Sequence, residues 1–461
     1  MEDKEATGLK KLFKELVGII HSKAVYGSVL LTEYSDFDIT RDFTTIDISN
    51  TGEKGVKIRA FDGEKWRETF ATNLEPDNLR KITRDLVRDI KIKPDGIRFE
   101  EEKLEKSFSD KHEIEPEKVP VTKKIAAVDK IIGFMKKQKN LKNCRALYEE
   151  RIVKNIFCSK NKYLSQKLSR VLAICFAMVE DKEGQIRYAY DDSFSTGFEA
   201  AKNALKIAKS AAKEAKDVAR AGKIKPGKYH CILAPDITGL LAHESFGHGM
   251  ESDTVYKDRA LAKEWVGKRI AADFVSIIDD PSMKYRHGSL YFDDEGQMAA
   301  PTYLLKKGIV ADYITEMLTA KKLNAKRSAN GRCESFDHKI YARMTNTIFA
   351  RGPHSLKEMI ENVKDGILLK GRGGGMEDPK GWGVQIQGIF CQRIRNGKLT
   401  DEFYDDVGVT GYLPEILGNI KQVSKEGFRT RDIGHCGKGH KEWVDVSEGG
   451  PYLRIENLDL A

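Results

Sequence analysis

The chain has 461 residues, with 79 Lys and Arg against 70 Asp and Glu, which gives a formal net charge of +9. A chain of this length exceeds one ordinary hydrophobic core, so we expect two domains. Positive and negative side chains are interspersed along the sequence, which holds no recognisable nucleic-acid-binding motif. Such mixing favours a solvated surface over a nucleic-acid footprint, and we expect no nucleic-acid partner.

Three features of the sequence bear on its cellular location. No apolar run reaches the length needed to cross a membrane. Residues 1–5 lack the basic start and apolar stretch of a secretory signal. Seven cysteines are scattered without the regular spacing of a disulfide framework, which fits a reducing compartment. We therefore expect no membrane association and a cytoplasmic location.

The first half of the chain alternates between helix and strand patterns. Hydrophobic periodicity predicts helices over residues 6–22, 79–90, 123–137 and 198–221. Strand-forming residues predict strands over residues 24–31, 43–71 and 145–190, with turns at Gly52–Gly55 and Asp62-Gly63. Residues 92–122 are rich in charge and poor in large apolar groups, so we predict a mobile, loop-like segment there.

The second half is punctuated by glycines between short strand patterns. Residues 223–228 resemble a linker, and residues 298–314 and 383–399 have the pattern of hairpins. The chain is therefore predicted to be an α+β protein with a boundary after residue 222. Residues 1–222 would form an α/β domain with a curved sheet and packing helices. Residues 223–461 would form a β-rich, barrel-like domain.

The most informative motif runs from His243 to His248 and reads His-Glu-x-x-x-His. Neutral imidazoles are good ligands for a divalent metal ion. A nearby carboxylate such as Glu244 can accept a proton from a water molecule that attacks a carbonyl group. The motif therefore favours a zinc-type hydrolase, in particular a peptidase.

The spacing of these histidines has a geometric consequence. Residues five apart on a regular α-helix are displaced by roughly 140°, so His243 and His248 would point away from each other. A π-type turn would realign them, and so would unwinding at Gly247 and Gly249. We predict a distorted or terminating helix at this motif.

A zinc site usually has three protein ligands, so a third is needed. The sequence offers several candidates. The segment 434–440 is the strongest because its glycines let the backbone approach an ion closely and because a thiolate is a strong zinc ligand. The candidates are Glu251, Asp253, His287, His435, Cys436 and His440. The residues alone leave this choice open.

Four segments together resemble the TldD/PmbA family, and specifically its catalytic TldD-type branch. They are His243-Glu244-Ser245-Phe246-Gly247-His248 with Glu251-Ser252-Asp253, Arg343-Met344-Thr345-Asn346, Gly373-Gly374-Gly375-Met376-Glu377-Asp378-Pro379, and Cys436-Gly437-Lys438-Gly439. The likeness extends over nearly the whole chain, and the ordered combination is far more specific than any one motif.

The resemblance implies a zinc-dependent protease with one zinc ion per catalytic subunit. It implies that His243, His248 and Cys436 hold the metal and that Glu244 is the general base. It also implies hydrolysis of unfolded or flexible peptides in an enclosed cleft. The active form would be a dimer, either of two identical chains or with a similar non-catalytic subunit. His440 departs from the family pattern, in which we expect Gln, and is a further ligand candidate.

Two segments are candidates for substrate contact. Asn346 could donate to the peptide or to the oxyanion. Gly373 and Gly374 lack the Lys-Ser/Thr that follows a phosphate loop, so a lid or a strand edge that pairs with a peptide is the better interpretation. Two alternatives remain for the whole chain: a non-catalytic peptide-binding subunit with a structural metal, and a metal hydrolase that acts on non-peptide substrates.

Overall fold

The computed structural model describes residues 2–438 and 442–461, with side chains from residue 7 onward. Helices account for 24% and strands for 43%, so the chain has a mixed α+β fold as predicted. In the described residues, no helix combines the length and apolar character needed to cross a membrane.

The N-terminal half forms a seven-stranded sheet with helices packed on it. The strands are β1 Tyr26–Arg41, β2 Ile46–Phe61, β3 Trp66–Ala71, β4 Leu104–Ser109, β5 Leu141–Ser159, β6 Lys162–Glu180 and β7 Ile186–Ser195. The helices are α1 Glu2–His21, α2 Pro76–Val87, α3 Val121–Met135 and α4 Ala204–Ala219. The order is β3-β2-β1-β5-β6-β4, and β7 pairs with the second half of β6.

Alternation along β1 separates the two faces of this sheet. Val29 and Leu31 pack with α1 and α2, whereas Leu30 packs with Phe292 of the C-terminal half. Helices α3 and α4 cover β5 to β7, where alanines allow α4 to approach closely. The sheet therefore has helices on one face and the C-terminal half on the other.

The C-terminal half contains a closed five-stranded barrel and a second sheet. Its helices are α5 Pro235–Leu240, α6 Ser252–Tyr256, α7 Met317–Lys322, α8 Leu356–Glu361 and α9 Leu413–Gly418. Its strands are β8 Gly222–Lys223, β9 Gly227–Leu233, β10 Ile277–Asp279, β11 Thr302–Lys306, β12 Ile309–Val310, β13 Gly331–Arg332, β14 Tyr341–Ala342, β15 Asn346–Phe349, β16 Asp365–Asp378, β17 Gly383–Arg395, β18 Lys398–Tyr412, β19 Ile420–Val423, β20 Arg429–Cys436, β21 Val444–Gly450 and β22 Leu453–Leu460.

The barrel consists of β9, β16, β17, β18 and β22, and pairing of β22 with β18 closes it. The second sheet has the order β12-β11-β10-β15-β21-β20. Both pack around one large apolar core. Strand β8, which includes the last residue before the predicted boundary at 222/223, already pairs with β18. The division into two domains stays a prediction.

Two predictions about local structure are wrong. Gly52–Gly55 is not a turn, because β2 runs without interruption from Ile46 to Phe61. Gly55 serves packing instead, since a Cβ there would lie 2.5 Å from the ring of Phe336. Residues 92–122 are not merely loop-like, because β4 pairs in parallel with β6 and packs the partly buried Phe108 against Phe292. A strand at the end of a sheet needs few apolar side chains once its backbone is paired.

Candidate metal centre

The helix that carries the histidine motif is distorted, as predicted. Strand β9 ends at Leu233, and Pro235 begins the short helix α5, where its fixed φ suits the first turn. The helix then widens into a π-helix over Leu241–Gly247 and closes in a 3₁₀ turn over His248–Met250. The backbone N–H of His248 donates to the carbonyl oxygen of His243, five residues back.

This wider turn brings the two histidines to one side. Their ring centroids lie 5.1 Å apart with the planes at 86°. Packing restricts the turn to a small residue at Gly247, where a Cβ would lie 2.0 Å from the sulfur of Met344. The π-type hydrogen bond thus solves the mismatch between a spacing of five and a period of 3.6.

Cys436, at the end of β20, completes the cluster. Its Sγ lies 3.4 Å from His248 Nε2, and the donor atoms of His243, His248 and Cys436 all lie within 4.8 Å of one another. Ligand atoms of a tetrahedral zinc ion with Zn–N and Zn–S bonds of about 2.0 and 2.3 Å lie roughly 3.5 Å apart. The Nδ1 of His243 is buried and has no hydrogen-bond partner among the residues that the structure describes.

The charges of the cluster also suit a metal ion. Burial raises the pKa of the Cys436 thiol, but attraction to His248 and His243 outweighs it and holds that pKa well below its ordinary value. Burial lowers the pKa of each histidine, and the Cys436 thiolate reverses the shift, so both pKa values are raised. A thiolate with two imidazoles is a donor set that a borderline-soft ion such as Zn²⁺ prefers.

Glu244 lies beside the cluster on the π-helix and is partly buried. Strand β16 passes directly over it, since a Cβ on Gly375 would lie 2.5 Å from Glu244 Cγ. Burial raises the pKa of the Glu244 carboxyl, while His243 and His248 oppose the rise. The absence of a side chain at Gly375 therefore leaves room for the Glu244 carboxylate at its present position.

Glu251 and Asp253, two of the candidates for the third ligand, form hydrogen bonds around the cluster instead. Glu251 is buried and its Oε2 lies 3.4 Å from His248 Nδ1. Lys438 donates to Glu251 at 2.9 Å and to Asp253 at 2.7 Å. Burial raises the pKa of Glu251, but Lys438 and His248 lower it to about 2. A carboxylate on the second imidazole nitrogen fixes the tautomer and the ring orientation of a ligand.

The sequence reasoning assigned no site role to Arg343 and Glu377. Arg343 donates to the carbonyl oxygen of Cys436 at 2.6 Å, which holds the end of β20. Glu377 has a buried Oε2 without a hydrogen-bond partner in the described part of the chain. Burial raises its pKa to about 9, although His248 opposes the shift. The signal in the sequence was strand alternation, because Glu377 lies two residues after Gly375 and so shares its face of β16.

The substrate-contact candidates have different surroundings. Gly373 and Gly374 lie in an irregularity of β16 between the paired residues Arg372 and Gly375. Gly374 is exposed, with nothing within 4 Å of a Cβ there. Asn346 is buried in β15, and its Nδ2 donates to Asp280 O at 2.6 Å and to Ser289 Oγ at 3.1 Å. Its contact with substrate stays a prediction.

His287 and His435 do not join this cluster. His287 and His435 lie close to each other and to Asp445, in a separate group of donor atoms. His440 lies outside the described residues, so its part in the site stays untested. The structure thus brings together His243, His248 and Cys436, with Glu244 next to them.

Comparison with known proteins identifies the family. The profile of the PmbA/TldA metallopeptidase C-terminal domain matches residues 226–461. Metalloprotease MJ0996 of Methanocaldococcus jannaschii is 28% identical over 418 residues, which are 88% of this chain and 90% of that protein. A zinc metalloprotease TldD homolog of Saccharolobus solfataricus is 30% identical over 243 residues, 51% of this chain and 52% of that protein.

A solved structure extends the likeness to the whole fold. The protein TM0727 of Thermotoga maritima superimposes with a TM-score of 0.79 over 98% of this chain and 100% of that one, at 18% identity. At that identity the likeness establishes a shared fold. The matched profile covers half of the sequence, and the chain belongs to the TldD/PmbA family of metallopeptidases.

Proposed function

We propose that the chain is a zinc-dependent protease that hydrolyses unfolded or flexible peptides in an enclosed cleft. One observation carries the proposal. Cys436 meets His248 across 188 residues of sequence, the three donor atoms converge, and the Glu244 carboxylate interacts electrostatically with both histidines. In this proposal His243, His248 and Cys436 hold one zinc ion, and Glu244 is the general base.

A bound zinc ion would lower the pKa of a water molecule and polarise the carbonyl group of the substrate. The carboxylate of Glu244 would accept the proton of the attacking water and later deliver it to the leaving amine. Its raised pKa brings the carboxyl closer to the working pH, which favours both transfers. Glu251 and Lys438 would keep the ring of His248 in place.

The preference for unfolded peptides is supported by strand β16. Gly373 and Gly374 interrupt the pairing of β16 with β17 next to the residue that lies over Glu244. Unpaired backbone groups can bind an extended chain through main-chain hydrogen bonds, with little demand on its side chains. A folded substrate does not offer its backbone in this form.

The decisive experiment replaces Glu244 by Gln, which preserves size and removes the base. We expect a fall in kcat/KM on an unfolded polypeptide of roughly 10²- to 10⁴-fold, because general-base catalysis contributes that much. Metal content should equal that of the wild type. Glu361→Gln, at an exposed position of α8, is the matched control and should keep full activity. Full activity in Glu244→Gln would show that another group is the base.

The substrate class is tested by comparing unfolded and folded forms of one polypeptide with small esters. We expect cleavage of the unfolded polypeptide, loss of that activity with a chelator, and its return with Zn²⁺. Faster turnover of the esters than of any peptide would favour a metal hydrolase with non-peptide substrates.

The dimer and the cytoplasmic location complete the proposal. All seven cysteines lie in the described part of the chain and are free thiols, which supports a reducing compartment. The dimer rests on the family resemblance, and light scattering on the purified chain tests the homodimer. A monomer that becomes active only with a second, similar subunit would support the heterodimer.

A further inference from the structure

Strand β20 presents a second group of metal-type ligands on the face opposite Cys436. Successive side chains of a strand point to opposite faces, so His435 points away from Cys436. His435 pairs directly with Asp445 across β20 and β21, and His287 comes from the loop between β10 and β11. One donor atom of each of the three lies within 4.8 Å of the others.

These donor atoms have the spacing of a small cation site. Asp445 Oδ1 lies 3.3 Å from His435 Nε2 and 3.7 Å from His287 Nε2. Nitrogen and oxygen ligands of a tetrahedral zinc ion, with bonds of about 2.0–2.1 Å, lie roughly 3.3 Å apart. The two rings are nearly perpendicular, at 88° with centroids 5.2 Å apart, so both present an edge nitrogen to Asp445.

The hydrogen bond of His287 determines which of its two ring nitrogens can act as a metal ligand. Its Nδ1 lies 3.2 Å from the carbonyl oxygen of Gly434, which can only accept, so Nδ1 carries the hydrogen. Nε2, which lies 3.7 Å from Asp445 Oδ1, is therefore the nitrogen of His287 that can offer a lone pair to a metal ion.

The carboxylate of Asp445 is oriented by a second partner. Arg151 Nε lies 4.0 Å from Oδ2, whereas both imidazoles face Oδ1. Arg151 is shared with Asp36, at 3.6 Å, which offsets part of its repulsion of a cation. The arginine thus occupies one side of the carboxylate and leaves the other side for a ligand bond.

The cluster opens into a cavity of about 420 Å³, lined by residues of the N-terminal sheet and of the C-terminal half. The side chain of His435 is 44% exposed, so an ion bound there would keep open positions toward the cavity.

We propose that His287, His435 and Asp445 form a second metal site, separate from the thiolate centre, for a divalent transition ion such as Zn²⁺. Two imidazoles and one carboxylate select such an ion over Mg²⁺ and Ca²⁺, which prefer oxygen ligands. The site goes beyond the proposed protease function, because it shares no ligand with the centre of His243, His248 and Cys436.

The test uses the full chain, stripped with a chelator, loaded with Co²⁺ and freed of excess ion by gel filtration. We expect two equivalents of cobalt per chain, and a thiolate-to-cobalt absorption band from the centre that contains Cys436. Asp445→Asn and His435→Gln should each reduce the content to one equivalent and leave that band intact. Cys436→Ser should remove the band and leave the equivalent held by Asp445.

These variants separate the two sites. One equivalent in the wild type, or two equivalents unchanged by both Asp445→Asn and His435→Gln, would overturn the second site. A missing thiolate band, together with an equivalent that Asp445→Asn removes, would contradict the zinc ligands of the proposed function and support the second site. An intact band in Asp445→Asn and His435→Gln also shows that each variant has folded.

Discussion

The two histidine clusters lie on opposite faces of the same strand, and they are built by different means. The first needs a π-helix to align His243 with His248, whereas the second obtains a His–Asp pair directly from strand pairing at His435 and Asp445. Residues opposite each other in a ladder have Cβ atoms about 4.5–5.5 Å apart without any distortion. The thiolate of Cys436, the carboxylate of Glu244 and the partly buried Lys438 then distinguish the first cluster. A ligand set can therefore form in a sheet without distortion of the backbone, and the additional groups at the first cluster are those to which the proposed function assigns roles.

The largest effect that we expect is on the catalytic rate, and it comes from a substitution in β16, the strand that passes over Glu244. Gly375→Ala places a methyl group 2.5 Å from Glu244 Cγ, so the Glu244 side chain must move. A displacement of about 1 Å of a catalytic group can cost about 10²-fold in rate. We expect that loss in kcat with unchanged metal content at both clusters. Gly383→Ala is the control, since nothing lies within 4 Å of a Cβ there, and it should keep its activity.

An undiminished rate in Gly375→Ala would remove this difference between the clusters, because activity would then not depend on the position of the Glu244 carboxylate. Loss of metal content together with rate would assign the effect to the ligands, and not to Glu244.

A carboxylate, Glu251, faces Nδ1 of His248 in the first cluster, whereas a backbone carbonyl faces Nδ1 of His287 in the second. This difference predicts the second effect. Glu251→Gln removes the charge that faces His248 Nδ1, so we expect zinc affinity at the first cluster to fall about 10- to 100-fold. Asp253→Asn is the matched control, because Asp253 also accepts from Lys438 but its hydrogen bond lies away from His248. Chelator competition measures both affinities. Equal losses in the two variants would mean that neutralising Lys438 matters, and that orienting His248 does not.

The π-helix predicts a smaller effect, on stability. Gly247→Ala forces a methyl group against the buried sulfur of Met344, and overpacking of this kind costs about 1–3 kcal/mol. Gly18→Ala, at an exposed position of α1 with nothing within 4 Å, should instead raise the free energy of unfolding by about 0.5–1 kcal/mol. Denaturant titration compares them. A gain in both variants would contradict the tight packing of the π-helix.

More of the first cluster than of the second could be predicted from the sequence. The spacing of His243 and His248 was enough to predict the distorted helix, because it conflicts with helical periodicity. The sulfur of Cys436 lies 188 positions beyond His248, and only the family resemblance selected it from several candidates. His287 and His435 were considered for the same ion, and strand alternation at β20 sends His435 to the opposite face.

The errors have a common physical cause, which is contact between distant segments. The glycines at 52 and 55 look like a turn in sequence, but Gly55 is required by Phe336. The strand within residues 92–122 is specified by its pairing with β6. The glycines at 373 and 374 interrupt the pairing of β16, so the alternation of its side chains starts anew at Gly375. The sequence alone therefore did not predict that Glu377 faces the metal cluster.

The last effect concerns pH and Glu377, which interacts electrostatically with the first cluster. Its pKa of about 9 in the folded chain exceeds the ordinary value of 4.5, so unfolding near neutral pH releases a proton. The stabilising contribution is complete below pH 4.5 and is lost as the pH rises toward 9. We therefore expect the metal-free wild type to lose stability relative to Glu377→Gln as the pH rises from 5 to 9. Glu361→Gln, on the exposed face of α8, should show no such trend, and parallel curves for all three proteins would mean that the Glu377 carboxyl ionises normally.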